Sequence, residues 1–138
     1  MASSFTQLFT LLAIIAVGSD TVVEAAPDLT YISALCGGEK DPNPPELSDR
    51  AFQVTGLAVN FAVPDDFGFC AAVKNKPVMY GFGSCPNVVS ENSEEDCTAC
   101  LKFAQDWLLN TLCKDVYGGQ IRLAGCFLRY ETYKFCDA

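Results

Sequence analysis

The chain has 138 residues, of which 50% are hydrophobic, 12% aromatic and 19% charged, and its formal net charge at pH 7 is −8. This composition supports a packed core and excludes an intrinsically disordered chain. The acidic balance excludes nucleic acid as a favoured partner, because binding to a phosphate backbone needs clustered lysine and arginine. Histidine is absent, which excludes Ser-His-Asp and Cys-His nucleophile pairs and removes the usual ligands of catalytic zinc.

The amino-terminal segment has the pattern of a secretory signal peptide. Leu8–Val17 form an apolar run that is too short to span a bilayer and stands where a signal peptide has its hydrophobic region. Val23 and Ala25 fit the small-residue positions before a cleavage site, so we predict cleavage after Ala25. Residues 1–25 are then a signal peptide and residues 26–138 a single exported domain, for which we expect no membrane anchor. The alternative is a buried amino-terminal helix.

Five short segments rich in aromatic and β-branched residues predict strands. Two of these strands are joined by a hairpin turn at Lys74–Pro77, and Gly118-Gly119 opens the last pair. The predicted strands are Tyr31–Cys36, Phe67–Val73, Val78–Gly83, Gln120–Leu123 and Cys126–Tyr133.

Two amphipathic helices separate these strands. The first is predicted over Glu46–Phe61, where Gly56 costs about 1 kcal/mol and packing against a sheet must hold the helix. The second starts at Ser93, which resembles a capping box with Asp96, and its acidic first turn complements the helix dipole. The acidic residues are Glu91, Glu94, Glu95 and Asp96; the apolar stripes are Leu47, Ala51, Val54, Ala58 and Phe61, then Cys97, Cys100, Leu101, Ala104, Leu108 and Leu112. This order predicts an α+β fold, a five-stranded antiparallel sheet with two helices packed on one face.

Eight cysteines lie in the predicted domain, and an even number in a small exported chain predicts a disulfide framework. Spacing alone leaves 105 possible pairings. Cys97-Thr98-Ala99-Cys100 is a CxxC motif, for which structural disulfides, a four-cysteine zinc site and a catalytic dithiol compete. Exported chains favour bridges over the other two, so we expect no metal and no other cofactor.

Three blocks carry a resemblance to a known family. Tyr80–Cys85, Asp96–Leu101 and Gly125–Glu131, the last reading GCFLRYE, resemble the plant cysteine-rich secreted family typified by ginkbilobin. The family has a C-x8-C-x2-C core, whereas eleven residues separate Cys85 from Cys97 here. The resemblance implies an α+β domain of the apoplast, found alone in antifungal seed proteins and duplicated in receptor-kinase ectodomains and plasmodesmal proteins.

The resemblance also implies a bridge pattern. By the family's pairing, Cys36 would bond to Cys113, Cys85 to Cys97, and Cys100 to Cys126. Cys70 and Cys136 remain; they are extra to the usual six and would pair with each other.

Family members that bind mannose use an Asn, an Arg and a Glu at positions that correspond here to Gly37, Gln120 and Glu131. Only the acid is kept, and Gln120 lacks the charge and fork geometry of a guanidinium. Arg122 lies two residues along the same strand and could substitute in part. The alternative for Glu131 is a plain surface acid paired with Arg129, which shares its face.

Three classes of function follow. The first is a secreted, non-catalytic defence or recognition protein, antifungal or binding a mannose-type glycan, by analogy with the family. The second is an extracellular protein–protein interaction module without a sugar site, in which exposed residues such as Phe127 or Tyr133 contact the partner. The third is an enzyme, which we do not expect, because the adjacent acids Asp65 and Asp66 read as solvated turn residues.

Overall fold

The computed structural model describes residues 26–86 and 92–138. The predicted signal peptide and its cleavage site therefore lie outside the described residues. The described chain forms β1 (Tyr31–Lys40), α1 (Pro44–Ala62), β2 (Gly68–Val73), β3 (Met79–Ser84), α2 (Ser93–Trp107), β4 (Val116–Leu123) and β5 (Phe127–Glu131). A π-helical turn, Leu108–Leu112, continues α2.

The five strands form one sheet in the order β1-β4-β5-β3-β2, and every neighbouring pair is antiparallel. Both helices pack on the same face of this sheet. A Cβ at Gly81 would lie 2.9 Å from the Val54 carbonyl oxygen in α1, and one at Gly83 would lie 3.4 Å from a Leu101 methyl group in α2. The α+β fold predicted from the sequence is confirmed. We call the side of the sheet opposite the helices the open face.

Alternation along the strands divides core from surface. In β5, Leu128 and Tyr130 are buried toward the helices, while Phe127, Arg129 and Glu131 are partly exposed on the open face. The Tyr130 hydroxyl donates to the carbonyl oxygens of Cys113 (3.1 Å) and Val116 (2.9 Å). Burial raises the pKa of Tyr130 well above its ordinary value, so the side chain stays a neutral donor that joins the end of the π-helical turn to β4.

The first helix is confirmed, with Pro44 and Pro45 in its first turn, where a missing amide proton is tolerated. The sequence prediction was wrong about Phe61, which is 47% exposed although it belongs to the predicted stripe. Phe61 lies beside the edge strand β2, and its ring packs against Phe69 at 5.4 Å between centroids. An edge strand covers the ring from one side only.

The second helix also starts at Ser93, but the predicted capping box is not what begins it. Asn92 occupies the N-cap position without a side-chain capping bond, and Ser93 is already the first helical residue. The Asp96 amide donates to the Asn92 carbonyl oxygen at 2.9 Å. Glu94, Glu95 and Asp96 lie in the first turn as expected, while Glu91 falls outside the described residues.

The sequence prediction placed Gly118 and Gly119 before the fourth strand, which it started at Gln120. In the structure both glycines lie inside β4, which begins at Val116. Both positions are closely covered. A Cβ at Gly119 would lie 2.9 Å from the Cys113 Sγ, and one at Gly118 would overlap the Glu131 carboxylate. Glycine is needed at these positions because neighbouring side chains come close to the backbone. From local sequence, such glycines look the same as glycines at a strand end.

Four disulfides tie the elements together, and no described cysteine is free. They join the same pairs that the sequence analysis expected: Cys36–Cys113, Cys70–Cys136, Cys85–Cys97 and Cys100–Cys126. Within the described ranges, no helix has the length and apolar character needed to cross a membrane.

Candidate functional site

The strand register places all four predicted site residues on the open face. Gly37 in β1 pairs with Gly118 in β4, and Gln120 in β4 pairs with Arg129 in β5. Arg122 lies opposite Phe127, and Glu131 opposite Tyr80 in β3. Because directly opposed residues point to the same side of a sheet, these positions form successive rows of one surface.

The Glu131 carboxylate is the acidic centre of this surface. It overlies Gly118 and is only 13% exposed. Its Oε1 accepts a hydrogen bond from Arg129 Nε at 3.3 Å. The interpretation of Glu131 as an ion-pair partner of Arg129 therefore describes an interaction that is present in the structure.

Arg129 makes more contacts on the open face than the sequence analysis expected, which named it only as a partner of Glu131. Its Nη2 donates to the Tyr133 hydroxyl at 2.9 Å, and its guanidinium carbon lies 4.2 Å from the centroid of the Phe135 ring. Arg129 stands directly opposite Gln120, the position where mannose-binding members carry their arginine. A guanidinium is thus present one strand away from its expected place.

The carboxyl-terminal segment, residues 132–138, lies on the open face because Cys136 is bonded to Cys70 in β2. This bridge brings Tyr133 and Phe135 against Arg129. In the sequence, only the expected Cys70–Cys136 pair indicated that the carboxyl-terminal segment would lie on this face. The sequence predicts Tyr133 and Phe127 as exposed contacts for a protein partner. Tyr133 is 56% exposed, whereas Phe127 is partly buried.

The remaining two predicted residues do not reach Glu131. Arg122 is four residues from Gly118 along β4, which corresponds to about 13 Å. Its guanidinium lies 4.9 Å over the Phe127 ring. Gly37 has nothing within 4 Å of the place its Cβ would occupy, so an open space remains on the surface there.

The acids of the turn after α1 and a cleft at the sheet edge lie away from the predicted site residues. Asp65 and Asp66 are both exposed in the turn after α1, as expected for solvated loop acids. Among the described residues, no cluster of cysteine and carboxylate side chains could hold a metal ion. An open cleft of about 380 Å³ lies at the β2 edge, with Leu57, Phe61, Phe69 and Lys74 among its lining residues.

Comparison with known proteins identifies the type of domain. Residues 47–133 match the family model described as salt stress response/antifungal. The chain is 31% identical over 111 residues to antifungal protein ginkbilobin-like protein 1 of Picea sitchensis, covering 78% of this chain and 80% of that protein. It is 28% identical over 114 residues to plasmodesmata-located protein 8 of Arabidopsis thaliana, covering 76% of this chain but 38% of that protein.

A solved structure has the same fold. The tandem DUF26 ectodomain of the Arabidopsis thaliana cysteine-rich receptor-like protein PDLP8 matches with a TM-score of 0.65 and 28% identity, over 78% of this chain. The chain spans 50% of that tandem ectodomain. These findings define a cysteine-rich α+β domain of the antifungal and ectodomain type.

The chain belongs to the salt stress response/antifungal family, with ginkbilobin-like relatives. The family supports the role of a secreted defence or recognition module.

Proposed function

We propose that the protein is a non-catalytic defence protein of the apoplast that recognises a glycan on the open face of its sheet. Removal of residues 1–25 would release the single domain 26–138. The observation that carries the proposal is the grouping of Glu131, Arg129 and the Gln120 amide on adjacent rows of the open face, where all three side chains are partly exposed. Carboxylate, guanidinium and amide groups together accept from and donate to sugar hydroxyls.

A mannose-type site of the family's pattern keeps only its acid here. Gly37 offers no side chain, Gln120 offers no charge, and the Glu131 carboxylate already accepts from Arg129. The proposal therefore includes mannose-type glycans as one candidate ligand and makes Glu131 the residue that orients Arg129. Removing Glu131 takes away an acceptor and also the partner that holds the Arg129 guanidinium in position.

The test is binding of purified, fully oxidised protein to a panel of immobilised glycans that includes mannan. Glu131→Ala should weaken binding at least tenfold, because charge-assisted hydrogen bonds contribute on the order of 1.5–3 kcal/mol each. The matched control is Glu95→Ala, an exposed acid on α2 at the other side of the sheet, which should bind like the wild type. Binding that survives Glu131→Ala would remove this residue from the site.

A second candidate is an extracellular protein–protein interaction module. The edge strand β1 favours it, because Tyr31, Ile32 and Leu35 are 47%, 55% and 67% exposed and the strand is bonded only to β4 in the sheet. Long exposed apolar edges are association sites. A wild-type protein that binds no glycan of the panel would favour this second function.

A further inference from the structure

Two of the three arginines in the sequence stand next to each other on the open face. Arg122 and Arg129 occupy neighbouring rows of adjacent strands, and such diagonal neighbours are separated by about 7–8 Å. The third, Arg50, lies on α1, where its Nη1 donates to Gln53 at 3.0 Å. The open face thus concentrates guanidinium groups in an otherwise acidic chain.

Aromatic rings accompany both guanidiniums. Arg122 lies 4.9 Å over Phe127, and Arg129 lies 4.2 Å from Phe135. The Phe82 ring, in β3, lies opposite Arg129, with its centroid 6.3 Å from that of Phe127. We call Arg122, Phe127, Arg129 and Phe135 the arginine strip. It combines fixed cations with apolar ring surface, on which the C–H face of a sugar ring can pack.

The charge of the strip stays positive. Its single acidic neighbour on the sheet is Glu131, which already bonds to Arg129 Nε, while Arg122 has no ion pair among the described residues. Removing Asp20 and Glu24 with the predicted signal peptide would still leave a net charge of −6 on residues 26–138. The strip therefore places two guanidinium groups, only one of them ion-paired within the described residues, on one face of an acidic chain.

We propose that the arginine strip binds an acidic oligosaccharide, a glycan whose sugar rings carry carboxylates. The inference rests on the proposed function and names its ligand class. A guanidinium has five donors and no acceptor, and its planar fork fits a carboxylate with two parallel hydrogen bonds. A neutral hexose needs acceptors as well, and the four side chains of the strip have none; the nearest carboxylate on the sheet, Glu131, already accepts from Arg129 through Oε1.

The test compares three probes by calorimetry at low and at physiological salt: an oligogalacturonide of about ten sugars, the same oligomer with its carboxylates methyl-esterified, and mannan. The wild type should bind the free acid at least tenfold more tightly than the ester, and more weakly as salt increases. Arg122→Gln should lower affinity for the free acid at least tenfold, because it removes one of the two guanidinium groups that would pair with carboxylates; Arg122 is exposed, so the substitution leaves the core unchanged. Arg50→Gln, the matched control, should bind like the wild type.

The outcomes separate the two proposals. Equal binding of acid and ester, or equal affinities of the Arg122→Gln and Arg50→Gln variants, would overturn the acidic ligand. Binding of mannan without the oligogalacturonide would overturn it too, yet leave glycan recognition standing. No binding to any carbohydrate would overturn both.

Discussion

At the level of single residues, two glycines that are paired across β1 and β4 differ in the space available for a side chain. Gly37 and Gly118 are register partners. A Cβ at Gly37 meets nothing within 4 Å, whereas one at Gly118 meets the Glu131 carboxylate. A side chain could therefore be added at Gly37, whereas the absence of one at Gly118 leaves room for the Glu131 carboxylate beside Arg129.

This contrast gives a matched pair of substitutions. Gly37→Ala should leave stability unchanged or raise it by up to about 1 kcal/mol, because alanine loses less conformational entropy on folding. Gly118→Ala should be about 1 kcal/mol less stable than Gly37→Ala, since the carboxylate must move away from Arg129. Thermal or chemical unfolding of both variants measures the difference. Equal stabilities would show that Glu131 does not lie over Gly118.

At the level of elements, α1 carries a glycine, Gly56, and packs over another in β3, Gly81, and the two differ in what an added side chain would contact. Gly56 lies inside α1, and a Cβ there would touch only Gln105 Nε2, at 3.7 Å. Gln105 also donates to Thr55 Oγ1 at 2.8 Å and links the two helices. Gly81 lies beneath α1 in β3, where a Cβ would press on the Val54 carbonyl oxygen.

Gly56→Ala should therefore stabilise the protein by about 0.5–1 kcal/mol, since helix propensity improves without a clash. Gly81→Ala should destabilise it by about 1–3 kcal/mol, because backbone atoms of a packed helix cannot yield as a side-chain tip can. Denaturant midpoints of the two variants, at unchanged slope, report these differences. A destabilised Gly56→Ala variant would contradict the described contact between α1 and α2.

The same elements show what the sequence could and could not predict. Periodicity gave α1 and its buried face, because a stripe of apolar residues depends on local spacing. It failed for Phe61, whose exposure depends on β2 being an edge strand. The position of Gly118-Gly119 inside β4 and the contacts of Arg129 were not predicted, for the same reason. Both depend on which residue stands opposite on the next strand, and pairing register is a long-range property that local patterns do not contain.

At the level of the whole molecule, covalent links decide which surfaces exist. The bridge Cys36–Cys113 ties the edge strand β1 to the end of the π-helical turn, and Cys70–Cys136 holds the carboxyl-terminal segment on the open face. Disulfides that close such loops contribute on the order of 3 kcal/mol or more each, comparable in sum to the net stability of an ordinary domain. The helices cover one side of the sheet, and the open face on the other side is the surface proposed here for recognition.

That assignment of recognition to the open face is tested most directly by mapping amide shifts in two-dimensional ¹H–¹⁵N NMR spectra during titration with the oligogalacturonide and, separately, with mannan oligosaccharides. We expect shifts to concentrate in β4, β5 and residues 132–138, with Arg122, Arg129 and Glu131 among the most affected. Shifts confined to α1, α2 or the cleft at the β2 edge would contradict it.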